Sequence, residues 1–194
     1  MTHLIKKLQV TVLTILFSVT ALLGCQTLNK APAPTITKAP KGTEPITDLP
    51  ITYELLGRYQ WRLVSAVNSD DKAIVELSRP GFPVVANFGY RFNDEYHVGF
   101  SSDCNGVGGP YTLTPDHILL IGSGPQTMMG CGPKREAAED KIRALEQSSR
   151  SQLTLTQLAN GNVDDSSLPY YLLIQKMATG ETLIWKNSAL IPYR

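Results

Sequence analysis

Four sulfur-bearing side chains, Cys104, Met128, Met129 and Cys131, crowd into one stretch of the chain. Two chemistries suit them. The cysteines can pair as a disulfide, or soft thiolate and thioether ligands can hold Cu(I) as a metal or redox site. Met-Met-Gly-Cys by itself is a weak metal signal, because methionine more often fills core gaps. His97 and His117 have Ser101, Ser102, Asp103 and Asp116 close by in sequence. A Ser/His/Asp hydrolase would use such residues. No Gly-x-Ser-x-Gly elbow accompanies them, and the histidines lack paired metal-ligand spacing. Both therefore read as surface or satisfied histidines. Gly122-Ser123-Gly124-Pro125 lacks the Gly-Lys-Ser/Thr of a phosphate loop and reads as a turn. Asp70-Asp71 and Asp164-Asp165 sit in polar stretches and read as solvated loops rather than a glycosidase pair. Tyr170, Tyr171, Trp185 and Tyr193 read as barrel-lining or rim aromatics, with a ligand face as the alternative.

What positions these residues begins with an address. Lys6 and Lys7 precede an apolar run from Leu8 to Leu23, the pattern of a secretory signal. Leu22-Leu23-Gly24-Cys25 resembles a bacterial lipobox, which makes Cys25 the lipidated residue and 1–24 the signal peptide. Several acyl chains on one cysteine anchor stably. Gln26 follows, rather than an Asp that would retain the protein at the inner membrane, and favours the outer membrane. Residues 25–50 are rich in Pro, Ala and Thr and read as an extended tether. Residues 51–194 read as one folded domain facing the periplasm.

Composition narrows the class. The 194 residues are 42% hydrophobic and 18% charged, with net charge +1. There is no basic field for nucleic acid and no signature of a mainly disordered chain. Past residue 50, short apolar runs alternate with Gly, Asn, Asp and Pro. Strands are expected over 61–67, 73–77, 84–88, 96–101, 111–114, 117–121, 152–158, 170–177 and 182–186. Turns are expected at Asn93-Asp94-Glu95, Pro115-Asp116, Gly161-Asn162 and Thr179-Gly180. One helix is expected over 134–149, with Pro133 just before it. Ala137, Ala138, Ile142 and Leu145 form its apolar stripe, leaving Lys141, Arg143 and Glu146 to water. Eight or nine strands and one helix point to a mainly β fold, an antiparallel barrel or sandwich with the helix packed against it.

With Cys25 assigned to lipid, Cys104 and Cys131 remain as a pair. In an oxidising periplasm a disulfide is the default, worth roughly 3.5 kcal/mol by loop-closure entropy. Reduced structural thiols and a Cu(I) site are the alternatives.

Asp103-Cys104-Asn105 followed by Gly109-Pro110-Tyr111 resembles the "GCN…G.Y" core of the META domain, the HslJ-like lipoprotein family. Thr127-Met128-Met129-Gly130-Cys131 is similar to that family's "T.MAC" element, with Gly130 for Ala. Trp61-Arg62-Leu63, Glu136, Leu145 and Leu153-Thr154-Leu155 extend the likeness over residues 57–187. Asp103 departs from the family's usual Gly, which puts the local turn geometry in question. The resemblance implies a small lipocalin-like barrel with one helix, and associations with heat shock, envelope stress and novobiocin resistance. It implies no catalytic activity. Asn105 and glycines 106, 108 and 109 would supply positive-φ or close-approach backbone.

The expected function is a non-enzymatic, lipid-anchored periplasmic protein supporting stress or antibiotic tolerance, with no cofactor. Its partners would be the membrane, through Cys25, and envelope proteins. The alternatives are a carrier of a small apolar ligand in the barrel and the Cu(I)/redox site.

Overall fold

The computed structural model describes residues 44–159 and 168–190. Cys25, the signal segment, most of the tether, the turn at Gly161-Asn162 and Tyr193 lie outside the described residues. A short helix α1 (Tyr53–Arg58) leads into β1 (Gln60–Val67). Then come β2 (Val85–Phe92), β3 (Glu95–Ser101), β4 (Gly106–Leu113) and β5 (Ile118–Ile121). Helix α2 (Pro133–Glu146) separates them from β6 (Ser149–Leu158), β7 (Tyr170–Met177) and β8 (Thr182–Ser188). Each strand pairs antiparallel with the next, and β8 returns to β1, closing an eight-stranded barrel. Closure leaves no free sheet edge.

Local chemistry explains the path. Asn93 and Asp94 both take positive φ, 50° and 64°, as the tight turn between β2 and β3 demands. Gly89 adopts φ +97° at a register shift in β2, where its backbone passes close to Gly57 of α1. A second register shift falls between Leu63 and Ser65 of β1. Such bulges bend strands so that a sheet can close. The side chain of Thr52 accepts a hydrogen bond from Leu55 N at 3.1 Å and so caps α1. Pro133 opens α2, and Glu136 reaches back to accept from Cys131 N and Gly132 N, both at 3.2 Å.

Alternation along the strands sends Trp61, Phe100, Leu119, Leu153, Leu155, Leu173, Leu183 and Trp185 into the bore, all essentially unexposed. Leu56 of α1 covers the end where β1 begins, and its carbonyl accepts from Trp61 Nε1 at 2.9 Å. At the other end, where β5 meets β6, α2 packs with Ala138, Ile142 and Leu145 buried. The bore is occupied by large side chains and gives the carrier reading no support.

Three expectations need correcting. Residues 73–77 are no strand: Ala73 makes an isolated bridge to Val67, and Val75–Leu77 is a 3₁₀ turn. The strand expected over 111–114 starts earlier, at Gly106, and ends at Leu113 as β4. Glu146 does not face water: it is buried inside the barrel mouth, on the same face as Ile142. Gln175 Nε2 donates to Glu146 Oε2 at 2.9 Å and to Ser151 Oγ at 3.1 Å, while Trp185 Nε1 donates to Gln175 Oε1 at 2.9 Å. Burial pushes the Glu146 carboxyl up to about 8, although the Gln175 hydrogen bond pulls the other way. Ahead of residue 51, Ile46 bridges Gln157 and Leu49 N donates to Leu155 O.

Candidate functional site

The motif residues meet where β3 turns into β4. Ser102 N donates to Asn105 O at 3.1 Å and closes the loop. The chain after β5 then runs alongside β4. Gln126 bridges Val107, and Thr127 N donates to Gly106 O at 3.0 Å. Gly106 N returns a bond to Thr127 Oγ1 at 2.9 Å. Glycine is required here by space, not by φ. A Cβ on Gly108 would stand 2.4 Å from Val98 O, and one on Gly109 2.4 Å from Gly122 O. Positive φ falls on Gly89, Gly132 and Gly180, so of the two roles expected of glycines 106, 108 and 109 close approach is the one found.

Asn105 acts as a clasp. Its Oδ1 accepts from Met129 N at 2.8 Å, and its Nδ2 donates to Met129 O at 2.9 Å. The amide thus pairs with one backbone residue as a neighbouring strand would. Nδ2 also donates to Glu139 Oε2 at 2.8 Å, and Asn105 N donates to Glu139 Oε1 at 2.7 Å. Ser102 Oγ adds a third donor at 3.2 Å. The sulfurs of Cys104 and Cys131 stand at bonding distance, with Cα atoms 6.2 Å apart. Loop, returning segment and α2 are therefore tied at one place, and this is the position the disulfide reading requires.

Asp103, the departure from the family pattern, is an ion-pair hub. Its carboxylate meets Arg79 Nη2 at 2.5 Å and Arg135 Nε at 3.0 Å. Desolvation pushes this carboxyl up, but the Arg79 hydrogen bond, a backbone bond and both guanidinium charges outweigh it and hold it below the usual range. The side chain that left the turn in question joins the 3₁₀ segment to α2.

Met128 and Met129 project outward, 84% and 60% exposed, from backbone held by Asn105. They flank a cleft of about 410 Å³ between β4 and α2, whose walls include Phe100, Val107 and Ile142. Gly109 and Tyr111, the motif's other members, lie elsewhere. Gly109 belongs to the barrel wall. Tyr111 is buried, with its ring edge-on to Phe88 and near Tyr53 and Tyr96. Burial raises its phenol far above the usual range, helped by those two tyrosines and Glu54. The motif therefore splits between a clasp and the core.

The other candidates disperse. His117 Nε2 accepts from Ile51 N at 3.2 Å, and His97 is buried in β3. Gln152 Nε2 donates to the Asp116 carbonyl at 2.8 Å. Trp185 lies in the bore, and Tyr171 packs on Tyr59. Sequence reading missed Glu139 and Arg79. Glu139 had a signal, since with Ile142 and Glu146 it falls at i, i+3, i+7 on the packed face of α2. Arg79, in an irregular segment, had none.

Comparison with known proteins bears on this geometry. The family model described as META domain matches residues 54–168. A solved structure, the NMR structure of a protein from Burkholderia xenovorans, is 20% identical with a TM-score of 0.50. The alignment covers 83% of this chain and 99% of that one, and it shows a shared fold. No curated protein matches the chain.

Proposed function

Because the chain belongs to the META domain family, we propose that it is a non-enzymatic, lipid-anchored periplasmic protein that supports envelope integrity under heat and antibiotic stress. It acts through contacts with envelope proteins. One observation carries this reading. The polar groups of Asn105, Thr127, Glu139 and Ser102 are spent on one another and on backbone, and what they hold outward is Met128 and Met129. Methionine is flexible and polarizable, and it suits an adaptable contact surface. Cys25 supplies the anchor, and the Pro-rich tether sets the domain off from the outer membrane.

The test is genetic. A deletion strain is expected to lose tolerance to novobiocin and to heat, and the full chain to restore both. Cys25→Ser is expected to leave the protein unanchored in cell fractionation and to restore less. A deletion strain with unchanged susceptibility and heat survival would refute the role.

A further inference from the structure

The two outward methionines carry a chemistry of their own. A thioether sulfur is soft and takes up one oxygen from a peroxide, and access to solvent governs how fast it does so. Met128 is 84% exposed and Met129 60%. Met177, which ends β7, is 4% exposed and supplies the contrast within the same chain. Methionine is usually a buried residue, so two adjacent ones this bare call for a reason.

The backbone beneath them is fastened at every second residue. Thr127 N donates to Gly106 O at 3.0 Å, and Thr127 Oγ1 accepts from Gly106 N at 2.9 Å. Met129 N and O both bond the Asn105 amide, at 2.8 Å and 2.9 Å. Cys131 is tied to Cys104, and its N donates to Glu136 Oε1 at 3.2 Å. None of these ties uses a methionine side chain. An oxygen added to either sulfur therefore points into water and loosens none of them. A sulfoxide on Met177 would instead bury a new polar group. The change at the surface is large. The rim beside Phe100, Val107 and Ile142 would pass from two apolar thioethers to two dipolar sulfoxides.

We propose that Met128 and Met129 form a paired oxidation site, at which a peroxide turns this face polar while the domain stays folded. At each sulfur a lone pair forms the S–O bond as the O–O bond of hydrogen peroxide breaks. The other oxygen leaves as water with both protons. The sulfur is oxidised by two electrons and the peroxide is reduced by two. The site stands apart from the envelope role. Only its consequence, that oxidation withdraws the contacts made by this face, rests on the function proposed above.

The test treats the full chain, in peroxide-free non-ionic detergent, with graded hydrogen peroxide. Free methionine quenches the reaction, and peptide mass spectrometry reads each residue. In the folded protein Met128 and Met129 should each gain one oxygen at least about tenfold faster than Met177, which reacts only when the barrel opens. In chaotrope the three rates should converge. Protein oxidised at the pair alone should melt within about 2 °C of untreated protein. Met128→Leu and Met129→Leu together should abolish the fast uptake and leave the Met177 rate as it was. The proposal is overturned if Met177 reacts as fast as the pair in the folded protein. It is equally overturned if either member of the pair reacts no faster than Met177, or if oxidising the pair alone lowers the melting temperature further than that. A deletion strain with unchanged novobiocin susceptibility would remove the envelope role and leave these masses to decide the site.

Discussion

Asn105 carries the clasp at the residue scale, and its removal should be felt well beyond its size. Asn105→Ala deletes the bonds to both backbone groups of Met129 and one to Glu139. Leaving part-buried partners unsatisfied costs about 1–3 kcal/mol, so denaturant unfolding should report a loss at the lower end of that range. Glu146 makes a different prediction. Its folded carboxyl holds its proton up to about pH 8, against an ordinary value of 4.5. Above the unfolded value the unfolded chain ionises while the folded one stays neutral, so the proton linkage favours unfolding as pH rises. The Glu146 contribution should be fully present below about pH 4.5, fall between there and about pH 8, and change no further above. Glu146→Gln keeps the hydrogen-bonding shape without the titration. Unfolding free energies measured at several pH values should lose that component of the slope.

The element scale is where sequence legibility divides. Strands with alternating or apolar runs, such as β3 and β7, were readable because barrel burial repeats every second residue. Helix α2 was readable from its proline start and its apolar stripe. Residues 73–77 misled because an apolar Ile-Val pair also suits a 3₁₀ turn, in which Ile74 is buried and Val75 exposed. Only the end of β4 was readable, because its glycines look like a loop, whereas they are there to admit a neighbouring backbone. That account is testable. A Cβ on Gly124 would stand 2.1 Å from Gly108 O, while one on Gly99 meets nothing within 4 Å. Gly124→Ala should destabilise by about 1–3 kcal/mol or more, and Gly99→Ala by no more than about 0.5 kcal/mol. Thermal melts of the two variants give the comparison. The ties between elements add a further expectation. Reducing Cys104–Cys131 should cost roughly 2–4 kcal/mol, yet the Asn105 bonds should keep Met129 in place.

For the whole molecule, both barrel ends are covered and the bore is filled, so the functional surface is expected outside the barrel. The cleft between β4 and α2 presents methionines on a braced edge. The clasp was legible as a motif, but its pairing with distant segments was not. Glu139 and Arg79 come from segments distant in sequence, and only the closed barrel brings them to Asn105 and Asp103. The central claim is that the motif braces a methionine surface for envelope contacts rather than doing chemistry. Its most direct test is novobiocin susceptibility of the deletion strain complemented with the full chain carrying Met128→Ser and Met129→Ser. Both side chains are exposed, so melting temperature and expression should match wild type. The account predicts that this stable, correctly localised variant fails to restore tolerance. Full restoration would contradict it.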